Sequence, residues 1–157
     1  MESKLLIAEV RGILDEAAAP GKGGYSFLAV VLDEPSREDL LRWWREKVPE
    51  KPLPISYAHH MTLVFQPTKE EIEAADLGKK TVLKVVGWGS DAISQAVRVH
   101  TSLRTIAAIP HITLATSVAR ETKHSNDLLA KHTTDIAGPM LMGKIELVKV
   151  AAGQTYV

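Results

Sequence analysis

The chain predicts an α+β fold, and three observations carry that expectation. Helical and strand patterns follow one another in mixed order, without the regular βα alternation of a parallel doubly wound sheet. The segment GKIELVKV near the end alternates apolar and polar side chains cleanly, and ISQAVRVH does so in part, as half-buried strands do. The stretch HMTL at His60 returns as HITL at His111, which points to two similar half-structures.

Composition narrows the class. A chain of 157 residues fits one domain, or two small lobes sharing a core. That length buries roughly two-thirds of the surface an unfolded chain exposes, so no disulfide or metal staple is required. The apolar fraction of 45% and the charged fraction of 24% are those of an ordinary globular protein. The absence of cysteine removes disulfides, thiolate chemistry and cysteine-ligated zinc. Lysine plus arginine equals aspartate plus glutamate, at 19 each. Proteins that hold long nucleic acid by counterion release display a basic excess, so a nucleic-acid partner is expected at one end or as a short fragment. The opening MESKLLIAEVRGILDEAAA is too short in apolar run and too interrupted by acids for a signal peptide. No segment has the apolar length of a bilayer span, and the expectation is a cytoplasmic monomer with no membrane partner.

Each element has its own signal. Leu6, Val10, Ile13, Leu14 and Ala17 recur at helical spacing and predict a first helix from about Lys4 to Ala19, ended by PGKGG. YSFLAVVLD is nearly continuous in apolar residues, as a well-buried strand is. Ser36 and Asp39 resemble a capping box that opens a helix carrying Leu40, Leu41, Trp44 and Val48 on one side. PEKPLP is a loop, and the residues around His60 form a strand rich in Thr, Leu, Val and Phe. TKEEIEAA predicts a short helix and Val82 to Trp88 another strand; Ile93 to His100 follows as the half-buried one. Pro110 opens a strand around His111, where its missing donor does no harm. SNDLLAKH is a short helix before the last strand.

The repeat is where chemistry concentrates. ISYAHHMTL aligns with IAAIPHITL, setting Ile55 over Ile106, His60 over His111, Thr62 over Thr113 and Leu63 over Leu114. Side chains two apart on a strand share a face, about 6.5–7 Å apart along the chain. His60 therefore faces the same way as Thr62, and His111 as Thr113, while Met61, Leu63, Ile112 and Leu114 anchor the opposite layer. Strands placed side by side would bring two imidazoles and two hydroxyls to one spot. Imidazoles titrating near neutrality supply a base and an acid together, and hydroxyls donate to oxygens that gain charge. In-line displacement at phosphorus asks for that set, and a strained ribose 2′,3′-cyclic phosphate is a natural substrate.

Paired His-x-Thr motifs, each followed by an apolar residue, resemble the signature of the two-histidine (2H) phosphoesterases. Among these are the RNA ligase-like 2′,3′-cyclic nucleotide phosphodiesterases and the phosphodiesterase domains of tRNA ligases. The resemblance implies a bilobal fold, with antiparallel sheets from two pseudo-symmetric lobes lining a central cleft and helices outside. It implies that His60 and His111 are the catalytic acid–base pair and that Thr62 and Thr113 bind the substrate phosphate. It further implies a metal-independent hydrolase with no cofactor, acting on an RNA 3′ end or a cyclic nucleotide, as in RNA repair or tRNA processing. The interval between the motifs is short beside many relatives, and the helix before the first strand is an addition. Two alternatives stay open: a phosphodiesterase for another substrate, such as 2′,5′-linked oligonucleotides, and a module that binds RNA ends or nucleotides without turnover.

Other residues have plainer readings. His59, next to His60, should leave the opposite face of the strand and be structural. His100, His124 and His132 lack a motif partner and read as surface or loop residues. No His-x-His or adjacent carboxylate pair suggests a metal. Tyr57 is a candidate for base stacking, Trp88 for the core, and one of Trp43 and Trp44 for the core. Arg104 and Lys144 are candidates to meet phosphate, with a solvated position the commoner role.

Overall fold

The computed structural model describes residues 25–105, 109–117, 124–131 and 133–150. The expected helix from Lys4 to Ala19, the PGKGG break, Ile106 and His132 lie outside the described residues. The chain within them is α+β. Strand β1 is Tyr25–Leu32 and helix α1 is Glu34–Lys47. Two short elements follow, strand β2 at Ile55–Ser56 and strand β3 at His60–Phe65. Helix α2 is Lys69–Ala74, and strands β4, β5 and β6 are Lys80–Ser90, Ser94–His100 and His111–Thr116. Helix α3 is His124–Lys131, strand β7 is Thr134–Asp135 and strand β8 is Met140–Val150. No helix among the described residues is long and apolar enough to cross a membrane.

Local chemistry explains the helix starts. Asp33, not Ser36, is the N-cap of α1, and its carboxylate accepts from the Ser36 amide at 2.9 Å. Asp caps as well as Ser does, and Pro35 suits the first turn because its missing donor has no intrahelical partner there, which favours a start at Asp33. Ser36 turns instead toward β8, where its hydroxyl accepts from the Met142 amide at 2.8 Å. Thr68 and Glu71 form the capping box of α2.

The eight strands form one sheet of order β2-β6-β5-β4-β8-β1-β3, with β7 paired to β4 beside this path. Every pairing is antiparallel. Leu28, Val30 and Leu32 of β1 join one buried cluster with Leu40 and Trp44 of α1, Met61, Leu63, Leu83, Val97, Ile112 and Ile145. The alternate residues Phe27 and Ala29 join a second cluster with Tyr57, Phe65, Val148 and Val150. β1 therefore buries both of its faces, the reason its sequence is almost continuously apolar. Trp88 belongs to the first cluster, meeting Trp44 edge-on with centroids 5.8 Å apart.

Two features of the sheet prepare the site. β2 pairs with β6 at one end of the order and β3 with β1 at the other, yet only Tyr57, Ala58 and His59 separate β2 from β3. That link draws the ends together, and β3 lies against β6. Each motif strand also carries a bulge at the same motif position. Thr62 pairs with Ala29 and Val64 with Leu28, leaving Leu63 over. Thr113 pairs with Ala96 and Ala115 with Gln95, leaving Leu114 over. Both surplus leucines are buried in the first cluster.

Candidate functional site

β2 and the link run along β6 in a continuous register. Ile55 pairs with Thr116 and Ser56 with Ala115. The Tyr57 amide then donates to the Leu114 carbonyl at 2.7 Å, and the Ala58 amide to the Thr113 carbonyl at 3.0 Å. The chain turns at Ala58, whose φ of 50° lies in the left-handed region. Arg37 of α1 steadies the turn by donating from Nε and Nη2 to the Tyr57 carbonyl at 3.3 and 3.2 Å.

The two histidines lie within electrostatic reach of each other: charge on His111 disfavours charge on His60. His60 stands opposite Val31, and its ring lies 5.0 Å from that of Phe27. His111 is 5% exposed and sits opposite Arg98. The His111 Nδ1 lies 2.8 Å from the Ile109 carbonyl oxygen. A carbonyl only accepts, so Nδ1 carries the hydrogen and neutral His111 has its lone pair on Nε2. The Nε2 atoms of both His60 and His111 are buried without a hydrogen-bond partner.

Burial decides their titration. Removal from water drives His60 well below its ordinary value of 6.5, and positive charge on His59 or His111 lowers it further. His111 is lowered by the same desolvation, against which the Ile109 carbonyl works. Both rings are thus shifted toward the neutral form, since the Nε2 atom of each lies out of solvent, although His60 as a whole is only half-buried.

The threonines have different surroundings. Thr62 is half-buried opposite Ala29. Thr113 is buried, and its hydroxyl lies 2.9 Å from that of Ser125, itself fully buried on α3. The preceding residue, His124, meets Asp91 between β4 and β5, with Nε2 and Oδ2 2.7 Å apart. Asp91 Oδ1 also accepts from the amides of Ile93 and Ser94. Burial raises the Asp91 carboxyl, but the His124 bond and the two amides outweigh it and hold it below the usual carboxylate range. His124 and Ser125 thus seat the start of α3 over β6. His124 is partnered, not a loose surface residue as its sequence suggested.

His59 also departs from expectation. It precedes β3 and lies outside the strand, so strand alternation does not fix where its side chain points. Its Nδ1 lies 3.3 Å from His60 Nδ1, with the rings edge-on. The doublet HH was the available signal. Ser125 gave none, since its role depends on a helix folding back onto β6.

Tyr57 is 8% exposed and packed with Phe27 and Phe65, so its ring offers little surface to a base. Arg104, Lys144 and His100 are exposed. Among the described residues no three His, Asp or Glu side chains gather as metal ligands. No family model matches this chain, and no curated protein matches it.

Proposed function

We propose that this protein hydrolyses the 2′,3′-cyclic phosphate ends of RNA or nucleotides, with His60 and His111 as paired base and acid and Thr62 and Thr113 as phosphate-binding hydroxyls. The observation that carries the reading is the pair of unpartnered, buried Nε2 atoms on the two His-x-Thr strands. A buried polar atom without a partner costs about 1–3 kcal/mol, and two in one neighbourhood mark a place where a ligand supplies the missing hydrogen bonds. A cyclic phosphodiester fits: its anionic oxygens accept from one imidazolium, and the water that attacks it donates to the other ring.

The roles follow from the surroundings. The Ile109 carbonyl holds a hydrogen on His111 Nδ1 and favours the charged ring, which suits His111 as the acid. An anion within about 4–6 Å favours the imidazolium further. His60 is depressed by burial and by charge on His59 and His111, so its neutral form is favoured and suits the base. Water gives its proton to His60 Nε2 as its oxygen bonds phosphorus, and His111 Nε2–H protonates the departing ribose oxygen. In the same reading the bilobal arrangement of 2H phosphoesterases would divide the sheet into β2-β6-β5-β4 and β8-β1-β3, with one motif strand in each half.

End-group analysis of a cyclic-ended oligonucleotide tests this. In chelator, the wild type should open the ring, and His60→Ala or His111→Ala should each lose about 10²–10⁴ of the rate. Because the pair acts as a unit, the double variant should be little worse than either single one. Full activity in His111→Ala would refute the pairing. The burial of both Nε2 atoms and the engagement of Thr113 by Ser125 favour one other reading, a module that binds the same ends without turnover. It predicts affinity for the ring-opened product and no ring opening. Among substrates, 2′,5′-linked oligonucleotides belong in the same panel.

A further inference from the structure

We propose that His59 is the positioning residue of His60: it accepts the Nδ1 hydrogen of His60 and so turns the basic Nε2 of that ring into the site. The inference rests on the assignment of His60 as base and goes beyond it in naming what sets the reactive nitrogen.

The geometry is a contact between like atoms. Two Nδ1 atoms 3.3 Å apart hold one hydrogen between them, so one ring donates and the other accepts. If His60 donates, its lone pair lies on Nε2, the buried atom without a partner. If His59 donates, His60 carries its hydrogen on Nε2 and is no base until it rearranges. The second motif solves the same problem with a main-chain acceptor, since the Ile109 carbonyl takes the Nδ1 hydrogen of His111. His59 occupies the matching role in the first motif, where no carbonyl among the described residues is bonded to His60 Nδ1. An orienting acceptor behind a catalytic imidazole is the arrangement that a buried carboxylate supplies in hydrolytic triads.

Two consecutive histidines lie edge to edge with ring centroids 5.4 Å apart, just after Ala58, which adopts a left-handed conformation that a β-carbon disfavours. The His59 carbonyl is fixed as well, accepting from the Leu32 amide at 3.0 Å. When water protonates His60 Nε2, the Nδ1 hydrogen stays on His60 and remains bonded to His59 Nδ1, so the new charge is spread over the pair. Other ionisable groups facing His60 are His111 from β6 and, in the row beyond Val31, Lys144 of β8.

Nitrogen-15 spectra of the histidine rings in the full chain, with turnover beside them, decide the matter. The wild type should show His60 as the Nδ1–H tautomer, and His59→Gln should keep it, because the glutamine oxygen still accepts. His59→Phe should preserve the ring contact and lose that tautomer. In turnover of a cyclic-ended oligonucleotide, His59→Phe should lower kcat about tenfold or more with KM within about twofold, and His59→Gln should recover most of kcat. A wild-type His60 carrying its hydrogen on Nε2, or a tautomer indifferent to both variants, overturns the proposal whether or not the protein is an enzyme. Unchanged kcat in His59→Phe of an active protein overturns it too. A wild type that shows the expected tautomers and opens no cyclic phosphate would sink the assigned activity and leave the positioning of His60 standing.

Discussion

The amide of Ala58 donates to the carbonyl of Thr113 at 3.0 Å, a single bond that ties the turn before the first His-x-Thr to the threonine of the second. It fastens the link between β2 and β3 to β6, and β3 lies against β6 although the two share no ladder of their own.

The pH profile follows from burial. His111 must be protonated to act as acid, and in the free protein its pKa lies below the ordinary 6.5. The value of kcat/KM should therefore fall as pH rises above that range, an optimum acid of a solvent-exposed histidine pair. In the complex, substrate anion raises the same group, so the basic limb of kcat should lie at higher pH. Steady-state profiles of both constants test this, and a kcat/KM that climbs through pH 8 would contradict it.

Stability should depend on the same rings. A histidine whose folded pKa is depressed binds fewer protons folded than unfolded, so folding stability rises with pH across that window. It is fully present above the unfolded value, 6.5, and is lost as pH falls below it toward the folded pKa values of His60 and His111. Denaturant titrations at pH 7 and pH 5 should show the loss, and a His60→Leu, His111→Leu double variant should show less of it. Asp91 acts separately: its depressed pKa supports stability above the ordinary 3.8, lost at still lower pH.

The Thr113–Ser125 hydroxyl pair should behave as a coupled unit. Either alanine variant leaves the other buried oxygen without a partner and should cost about 1–3 kcal/mol. The double variant should cost less than the two together, with coupling of about 0.5–3 kcal/mol in a double-mutant cycle read from unfolding curves. Strict additivity would mean the two hydroxyls do not bond in solution.

Gly143 on β8 is a steric control on the route to the site. A β-carbon there would lie 2.6 Å from the Val31 carbonyl oxygen and 2.7 Å from Val30, so β1 or β8 must shift. Val31 faces His60 and Leu32 holds the His59 carbonyl, so the shift should reach both histidines. Gly143→Ala should lose about 1–3 kcal/mol on unfolding and move the His60 ring resonances. Wild-type stability in that variant would mean the strands give way freely.

Much of the architecture was legible because it depends on neighbours in the chain. Continuous apolar character marked β1, alternation marked β8, and the run TKEEIEAA marked α2. The repeat itself, with matching His, Thr and Leu, was visible without coordinates, and its two leucines prove to be the surplus residues of matching bulges. What tertiary structure alone decided was environment. The backbone before β3 set His59 beside His60, α3 delivered Ser125 to Thr113, and burial withdrew the Nε2 atom of each motif imidazole from water. Periodicity reports which face a side chain takes, whereas tautomer and pKa depend on desolvation and on partners brought in from distant parts of the chain.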